Sequence, residues 1–182
     1  MKFGIMTGAD GVSHGVNDIV DMAKKAEGAG FHSLWMANIF SLDAIMTLAA
    51  AGIATSRIEL GTAVTPTYPR HPTAMAQQAL TAASMANNRF TLGIGLSHKM
   101  VIEDMLGLSF DRPARHMKEY LEVLLPLLQG KVVDYDGEEY QVHGTQLDVA
   151  GVDDVPVVVA ALGPMMLKMT GELTDGTSTW MV

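Results

Sequence analysis

The sequence has 182 residues, with 20 Asp and Glu against 12 Lys and Arg, so its net charge is −8. Nucleic acids and anionic membranes attract basic surfaces, and this acidic balance therefore argues against a protein that binds either of them. The absence of cysteine excludes disulfides and thiol chemistry and is compatible with a reducing cytoplasm. No apolar stretch approaches the roughly 20 residues that cross a bilayer, and the sequence predicts a single cytoplasmic domain.

Short apolar segments alternate with helical patterns in the first half of the chain. Apolar residues at three- and four-residue steps predict helices, and short apolar runs between turn residues predict strands. In chain order, the predicted elements are a strand at 2–6, a helix that begins at Val16 and stops at Gly28 to Gly30, a strand at 33–37, a helix at 42–55, a strand at 58–64, a helix that Pro72 opens and a strand at 89–96.

The second half of the chain interrupts this alternation once. After a helix at 115–128, Asp136-Gly137 is the strongest short signal for a β-hairpin, and it lies between two short apolar segments. We therefore predict a hairpin insertion near 131–144. The alternation then resumes with a strand at 156–162, a helix at 164–173 and a strand at 177–182.

The alternation of strands and helices predicts an α/β protein with a parallel sheet. The strands are mostly continuous apolar runs, as expected where both faces of a sheet are buried, and right-handed crossovers join such strands. A closed barrel and an open doubly wound sheet both fit this pattern. In either architecture, ligands bind at the carboxyl ends of the strands, so the loops after the strands form the candidate site.

The loop after the third strand contains three prolines, which fix its backbone. It places Tyr68, Arg70 and His71 on a stiff support. We interpret this loop as a rigid connection, in which Arg70 and His71 are exposed near the start of the next helix.

The loop after the fourth strand follows Gly93 and Gly95. The segment lacks the third glycine of a dinucleotide-binding fingerprint, and glycines at a strand end instead allow a planar ligand to approach the backbone. His98 lies just beyond this end and has the chemistry of a proton donor or base near neutral pH. A surface histidine without a catalytic role is an equal alternative.

Two further observations concern phosphate and metal ions. Gly163-Pro164 opens a helix after a buried strand, and free amides at a helix N-terminus bind phosphate; an ordinary turn is the alternative. The six histidines are isolated and lack the spacing of a metal site, so the sequence predicts no metal.

Several segments together resemble the luciferase-like monooxygenase superfamily, and within it the deazaflavin-dependent oxidoreductases that use coenzyme F420. The segments are AEGAGFHSLWMANIFSLDA, SRIELGTAVTPTYPRHPTAMAQQALT, RFTLGIGLSH, LGLSFDRPARHMKEYLEVLLPLL and VAALGPMMLKMTGELTDGT. They cover nearly the whole chain in the order of the family.

The resemblance implies a TIM (β/α)8-type barrel, here truncated to about six β/α units, with the hairpin as the family's insertion after the fourth barrel helix. It implies that the ring of coenzyme F420 binds in the barrel mouth, flavin mononucleotide (FMN) being the alternative. In related proteins a bulged third strand carries a non-proline cis peptide behind the ring, which would here be Ala63-Val64. The residues that the resemblance places at the coenzyme are Asn38, Ala63, Val64, Gly95, Leu96, Ser97, Leu162, Gly163, Pro164 and Met165.

The resemblance also assigns individual roles. Asn38 stands where relatives often carry Asp, near the polar edge of the ring, and 162–165 resemble the segment that contacts the phosphate tail. At the next position several relatives carry a histidine that assists proton transfer, whereas this chain has Ile39. His98 lies in a loop where some relatives place an acidic catalytic residue, and it is the candidate catalytic residue in this chain.

The implied function is transfer of a hydride between the reduced deazaflavin and a small organic substrate, such as an enone, an imine or an alcohol–carbonyl pair. The alternatives are an FMN-dependent luciferase-like monooxygenase and a non-catalytic flavin-binding or structural barrel remnant. Relatives commonly pair through their barrel helices, so a homodimer is expected. Because a six-strand sheet would leave two unpaired edges, we also expect either a fragment of a longer enzyme or a second chain that covers these edges.

Overall fold

The computed structural model describes residues 1–179. Its elements are β1 (Gly4–Thr7), α1 (Val16–Gly28), β2 (Ser33–Met36), α2 (Ala44–Ala54), β3 (Glu59–Thr62), β4 (Thr65–Pro66), α3 (Pro72–Met85), β5 (Phe90–Gly95), a π-helical turn (Val101–Met105), α4 (Pro113–Leu128), β6 (Val133–Asp136), β7 (Gln141–Thr145), β8 (Val157–Ala160), α5 (Pro164–Leu173) and β9 (Gly176–Ser178). Within these residues, no helix has the length and hydropathy that a membrane crossing requires.

The main sheet is parallel, and its strands follow one another in the order β1-β2-β3-β5-β8-β9, with β4 paired to β5. In a doubly wound sheet the strand order reverses at a switch point. Here each new strand is added on the same side of the preceding one, which is the winding of a barrel wall. The observed order therefore decides between the two architectures that the sequence pattern left open.

The hydrophobic core lies between the sheet and its helices. Alternate residues of a strand point to opposite faces, and the buried residues on the helix side are Leu34, Met36, Leu60, Phe90, Leu92, Ile94, Val157 and Val159. They pack in one cluster with Ile19 of α1 and Tyr120 of α4. Full burial of a leucine or phenylalanine contributes about 1.5–3 kcal/mol, so this layer is a major source of stability.

The opposite face of the sheet is the inner face of the barrel wall, and its side chains are small or partly exposed. The residues on this face are Trp35, Gly61, Thr91, Gly93, Gly95, Val158 and Ala160. Toward the carboxyl ends of the central strands the face consists of glycine and alanine. This leaves room for a ligand against the backbone.

The third predicted strand is interrupted in the structure. The pairing of β3 with β5 extends to Gly61↔Thr91, and β4 resumes the pairing at Thr65↔Ile94. Three residues of the third strand therefore face two residues of β5, which is the geometry of a β-bulge. The apolar pattern of residues 58–64 does not reveal this bulge, whereas the family resemblance implied it.

The other predicted strands and helices are confirmed, with ends that differ by a few residues. Such differences arise because an apolar pattern can continue past the last hydrogen-bonded residue. Helix α5 occupies the predicted 164–173. The last strand begins at Gly176, and residues 180–182 of its predicted range lie outside the described residues.

The predicted hairpin is also confirmed, and one buried carboxylate attaches it to α4. Glu119 is 7% exposed and accepts backbone N–H groups from Glu138, Glu139 and Tyr140 at 3.2, 2.8 and 3.2 Å. Burial alone would raise the pKa of Glu119, but these N–H groups outweigh it and hold the pKa below its ordinary value. The insertion is therefore held firmly against α4.

A second carboxylate fastens the connection between α2 and β3. Glu27, near the end of α1, accepts backbone N–H groups from Ser56, Arg57 and Ile58 at 3.0, 2.6 and 2.9 Å. The N–H of Ile58 makes the largest contribution to a pKa of about 2 for Glu27. A carboxylate whose pKa is lowered on folding stabilises the protein above its unfolded pKa, and this contribution disappears as the pH falls through the folded value.

We predict that Glu27→Gln lowers the free energy of unfolding by about 1 kcal/mol at pH 7. The difference from the unchanged protein should shrink as the pH falls from about 4.3, the ordinary pKa of Glu, toward 2. Urea titrations at a series of pH values measure it. The control is Asp21→Asn, since Asp21 is an exposed carboxylate of the same helix; an equal loss in both variants would contradict the role of Glu27.

Candidate functional site

The bulge in the third strand is held by a side chain that replaces backbone pairing. The Thr62 hydroxyl donates to the Gly93 carbonyl at 2.6 Å and accepts the Gly93 N–H at 2.8 Å. The backbones are so close that a Cβ atom at Gly93 would lie 1.8 Å from the Thr62 carbonyl oxygen. Glycine is therefore required at position 93.

The residues beyond this contact form the inner wall at the carboxyl end of β5. The peptide bond between Ala63 and Val64 is cis, as the family resemblance implied. The Val64 side chain lies against Gly95, where a Cβ atom would be 2.6 Å from Val64 Cγ2 and 3.1 Å from the Ala160 Cβ. Val64, Gly95 and Ala160 thus meet on one small-residue surface. Val64 and Gly95 are among the residues that the family resemblance placed at the coenzyme.

The segment after β5 has an unusual backbone. Ser97 has a φ of 64°, a left-handed conformation that costs about 1–2 kcal/mol for a residue with a side chain. His98 follows with an exposed side chain, and its carbonyl accepts the N–H of Ile102 at 3.0 Å. The next turn is π-helical, a feature that is frequent at functional sites. The structure places His98 at the mouth of the barrel wall, and its catalytic role stays a prediction.

Asn38 lies at the carboxyl end of β2, where it was predicted, but part of its side chain has a structural role. Its Oδ1 accepts the N–H of Ala44 at 3.0 Å at the start of α2. The side-chain NH2 group is therefore the part of Asn38 that can contact a ligand. The neighbouring Ile39 is 53% exposed and presents an apolar surface.

The predicted phosphate site lies at the N-terminus of α5. Gly163 precedes the helix with extended backbone, and Pro164 is its first residue. Leu162 and Met165 are 60% and 71% exposed, so the first turn of α5 is open to solvent. The amides of a first helical turn have no partner within the helix and attract an anion together with the helix dipole.

In the proline-rich loop, one of the two residues that we expected to be exposed is instead partly buried. Arg70 is not exposed: its guanidinium pairs with Asp43, the N-cap residue of α2, at 2.5 Å, and its carbonyl accepts the Tyr120 hydroxyl at 3.1 Å. The sequence pattern does not reveal these contacts of Arg70, because Asp43 and Tyr120 are distant from it in the chain. His71 is exposed as expected and caps α3 by accepting the N–H of Thr73.

A cluster of aromatic residues behind the site was not predicted. The ring of Tyr68 stacks on His116 with 3.8 Å between ring centroids and 5° between planes, and it also stacks on Phe110. Tyr120 and Tyr140 complete the cluster around His116. Burial lowers the pKa of His116 to about 4 and raises the pKa of Tyr68 to about 12, so both are neutral at pH 7.

The sequence contains one signal that could have indicated this cluster. His116 and Tyr120 are four residues apart on α4, and such residues lie on the same face of a helix.

Among the residues that the structure describes, no group of three or more His, Cys, Asp or Glu side chains could hold a metal ion.

These features define a class of protein: an α/β domain with the winding of a (β/α) barrel and a ligand site at the carboxyl ends of its strands. The model of one family, described as luciferase-like monooxygenase, matches residues 1–182. The chain belongs to this family.

The similar proteins include a reductase and an F420-dependent dehydrogenase. The 5,10-methylenetetrahydromethanopterin reductase of Archaeoglobus fulgidus is 32% identical, over 97% of this chain and 52% of the relative. The F420-dependent glucose-6-phosphate dehydrogenase of Nakamurella multipartita is 31% identical, over 98% of this chain and 56% of the relative. The chain thus spans about half the length of the curated relatives that it matches.

A solved structure supports the assignment of the fold. The coenzyme F420 dependent tetrahydromethanopterin reductase of Methanopyrus kandleri superposes with a TM-score of 0.84 and 27% sequence identity, over 98% of this chain and 55% of that chain. The order of strands in the present chain is therefore that of one part of a barrel wall.

We predict that position 97 tolerates only residues that accept a left-handed backbone. Ser97→Val should lower the free energy of unfolding by about 1–2 kcal/mol, because a branched side chain is disfavoured at positive φ. Ser97→Gly should leave the stability unchanged or raise it. Denaturant unfolding of both variants measures the difference, and equal values would show that the left-handed conformation is not retained in solution.

Proposed function

We propose that this chain carries the coenzyme site of an F420-dependent oxidoreductase, which transfers a hydride between the deazaflavin and a small organic substrate. The observation that carries the proposal is the small-residue surface of Val64, Gly95 and Ala160 on the inner face of the sheet. A planar ring can lie flat only against a wall from which no large side chain projects, and the Val64 side chain is the largest on this surface. The names of two similar proteins, the dehydrogenase of Nakamurella multipartita and the reductase of Methanopyrus kandleri, refer to coenzyme F420, and this favours F420 as the occupant.

The residues present fit both ends of such a coenzyme. The ring would lie against Gly95 and Val64, with the NH2 group of Asn38 directed toward its polar edge and the segment Leu96–Ser97 beside it. The phosphate tail would bind at the N-terminus of α5, where Gly163 leaves the backbone accessible. Leu162, Pro164 and Met165 would flank the tail.

In this proposal the bound deazaflavin supplies or accepts the hydride. The protein holds the substrate and the ring in one orientation, and His98 donates or accepts the accompanying proton at its imidazole nitrogen. The exposed apolar side chain of Ile39 offers no titratable group at the neighbouring strand end. His98 is therefore the candidate proton donor that the described part of the mouth provides. A cytoplasmic location, which the cysteine-free sequence favours, belongs to the same proposal.

Two alternatives to the F420-dependent oxidoreductase can be distinguished by coenzyme binding and turnover. An FMN-dependent monooxygenase would bind FMN in place of the deazaflavin, since both have a planar tricyclic ring. A non-catalytic remnant would bind coenzyme without turnover.

The first prediction of the proposal concerns binding. In a fluorescence titration, the chain should bind coenzyme F420 saturably and with higher affinity than FMN. His98→Ala should leave the dissociation constant for F420 unchanged and reduce turnover of an enone, imine or ketone substrate by roughly 10²- to 10⁴-fold, the usual contribution of a general acid or base. The matched control is Lys99→Ala, an equally exposed neighbour, which should alter neither quantity.

The outcomes of this titration are distinct. Preferential binding of FMN would favour the monooxygenase. Binding of F420 without turnover of any substrate in the unchanged chain would favour the remnant. Binding of neither would contradict the proposed function as a whole.

We also propose that the chain forms a homodimer through α2 and α3. Neither helix contains a charged residue, although surface helices of a monomer normally carry charges on their solvent side. Met46 and Ile53 of α2 are 69% and 68% exposed. Met46 borders an uncharged, mostly apolar groove between the two helices, which is lined by Ile45, Ala49, Ala82 and Met85 and by the polar Gln77, Gln78 and Thr81. A largely apolar surface of this kind marks an interface between proteins.

We expect the unchanged chain to sediment with twice the mass of one chain in analytical ultracentrifugation. Met46→Glu should convert it to a monomer, because a carboxylate would be buried without a partner in the interface. Val132→Glu is the control, since Val132 is also exposed, at 57%, but belongs to the connection between α4 and β6. A dimer that persists in Met46→Glu would exclude this surface.

A further inference from the structure

Side chains of α4 connect the hairpin β6–β7 to the inner wall of the sheet. The hairpin β6–β7 packs against α4, and Glu119 of α4 accepts backbone N–H groups from its turn. The proposed coenzyme would lie against β5. His116 of α4, which the proposed function does not use, contacts both the hairpin and the residue that follows β4.

His116 makes polar contacts in both directions. Its Nε2 lies 2.9 Å from the Thr67 hydroxyl, and its Nδ1 lies 3.4 Å from the Tyr140 hydroxyl. His116 is 4% exposed and Thr67 is fully buried, so the contact between them is shielded from water, whereas the contact with Tyr140 is partly buried. Tyr140 belongs to the end of the hairpin turn, and Thr67 directly follows β4.

Thr67 continues the connection to the wall itself. Its N–H donates to the Gly95 carbonyl at 2.9 Å, and its hydroxyl lies 3.4 Å from the same oxygen. One assignment of protons satisfies all of these contacts: Tyr140 donates to Nδ1 of His116, Nε2–H donates to the Thr67 hydroxyl, and this hydroxyl points to the Gly95 carbonyl. The assignment requires a neutral imidazole, which is consistent with the effect of burial on its pKa.

The stacked ring of Tyr68 restrains the imidazole from the side. Tyr68 follows Thr67 in the chain, and its plane is within 5° of the plane of His116. Rotation of the imidazole would break both the stacking and the hydrogen bond to Thr67. The orientation of Thr67 is therefore set by α4 and the hairpin rather than by its own loop alone.

We propose that His116 is a positioning residue: with Tyr140 and Thr67 it forms a hydrogen-bond chain through which the hairpin fixes the carboxyl end of β5 for coenzyme binding. The inference rests on the proposed function for the identity of the ligand, but the chain of contacts itself is independent of any ligand. A role for the hairpin follows. It acts on the site through His116 of α4, and the ring of its Tyr140 also lies edge-on to the ring of His71, with 5.6 Å between centroids.

The test compares two substitutions at position 116. His116→Phe keeps the flat ring and the stacking on Tyr68 but removes both hydrogen bonds, whereas His116→Gln keeps a side-chain N–H that can reach Thr67. We expect His116→Phe to raise the exchange rate of the Thr67 amide, measured by NMR without coenzyme, and to weaken F420 binding by about tenfold, the effect of roughly one lost hydrogen bond. His116→Gln should restore both quantities toward the values of the unchanged chain.

A matched pair of tyrosines separates the chain of contacts from general damage to the hairpin. Tyr140→Phe removes a hydroxyl that faces His116, and Tyr135→Phe removes a hairpin hydroxyl that instead donates to Glu122. We expect Tyr140→Phe to increase Thr67 exchange in the same direction as His116→Phe, and Tyr135→Phe to have no effect.

The results that would overturn the inference are specific. They are unchanged Thr67 exchange in His116→Phe, unchanged F420 affinity despite faster exchange, or failure of His116→Gln to restore either quantity. If the unchanged chain binds no F420, the proposed function fails. The exchange measurement then still decides whether His116 and Tyr140 hold Thr67.

Discussion

The architecture of the site depends on the close approach of Thr62 to Gly93. The Thr62 hydroxyl takes both hydrogen bonds that the ladder would otherwise make at this point, and the third strand can then accommodate one residue more than its partner. This extra residue shifts the register of the strands, and the side chain of Val64 therefore lies against Gly95. Without a glycine at position 93 the strands could not approach, and the small-residue wall would not form.

The residues around this wall divide into two groups with different tasks. One group faces the mouth and is open: His98, Ile39 and the first turn of α5 are exposed. The other group is buried or partly buried and packs on other side chains of the protein, as in the ion pair of Arg70 with Asp43 and the stacking of Tyr68 on His116. A site that must hold a ligand within narrow geometric limits needs this second group, because loop residues alone are mobile.

The sequence predicted the fold well because the signals that determine it are local. Apolar periodicity marked the strands and helices, Asp136-Gly137 marked the hairpin, and Gly163-Pro164 marked the start of α5. The winding of the sheet and the bulge could not be derived from such signals, since both depend on which strands pair and in what register. The family resemblance implied both the barrel and the bulge at Ala63-Val64, and the strand order in the structure confirmed the winding of a barrel.

The site was predicted less completely, for a related reason. A residue such as His98 can be found from its position after a strand, but Arg70 and His116 depend on partners that lie 27 and 49 residues away in the chain. Composition does not reveal such partners, and Arg70 was therefore expected to be exposed. The same limit affects Asn38, whose amide oxygen is used by the start of α2. A polar side chain at the rim of this barrel wall is therefore a candidate for ligand binding only through those polar atoms that do not already make a structural hydrogen bond. By this criterion the exposed imidazole of His98 is still a candidate for ligand binding, whereas Asn38 is a candidate only through its side-chain NH2 group.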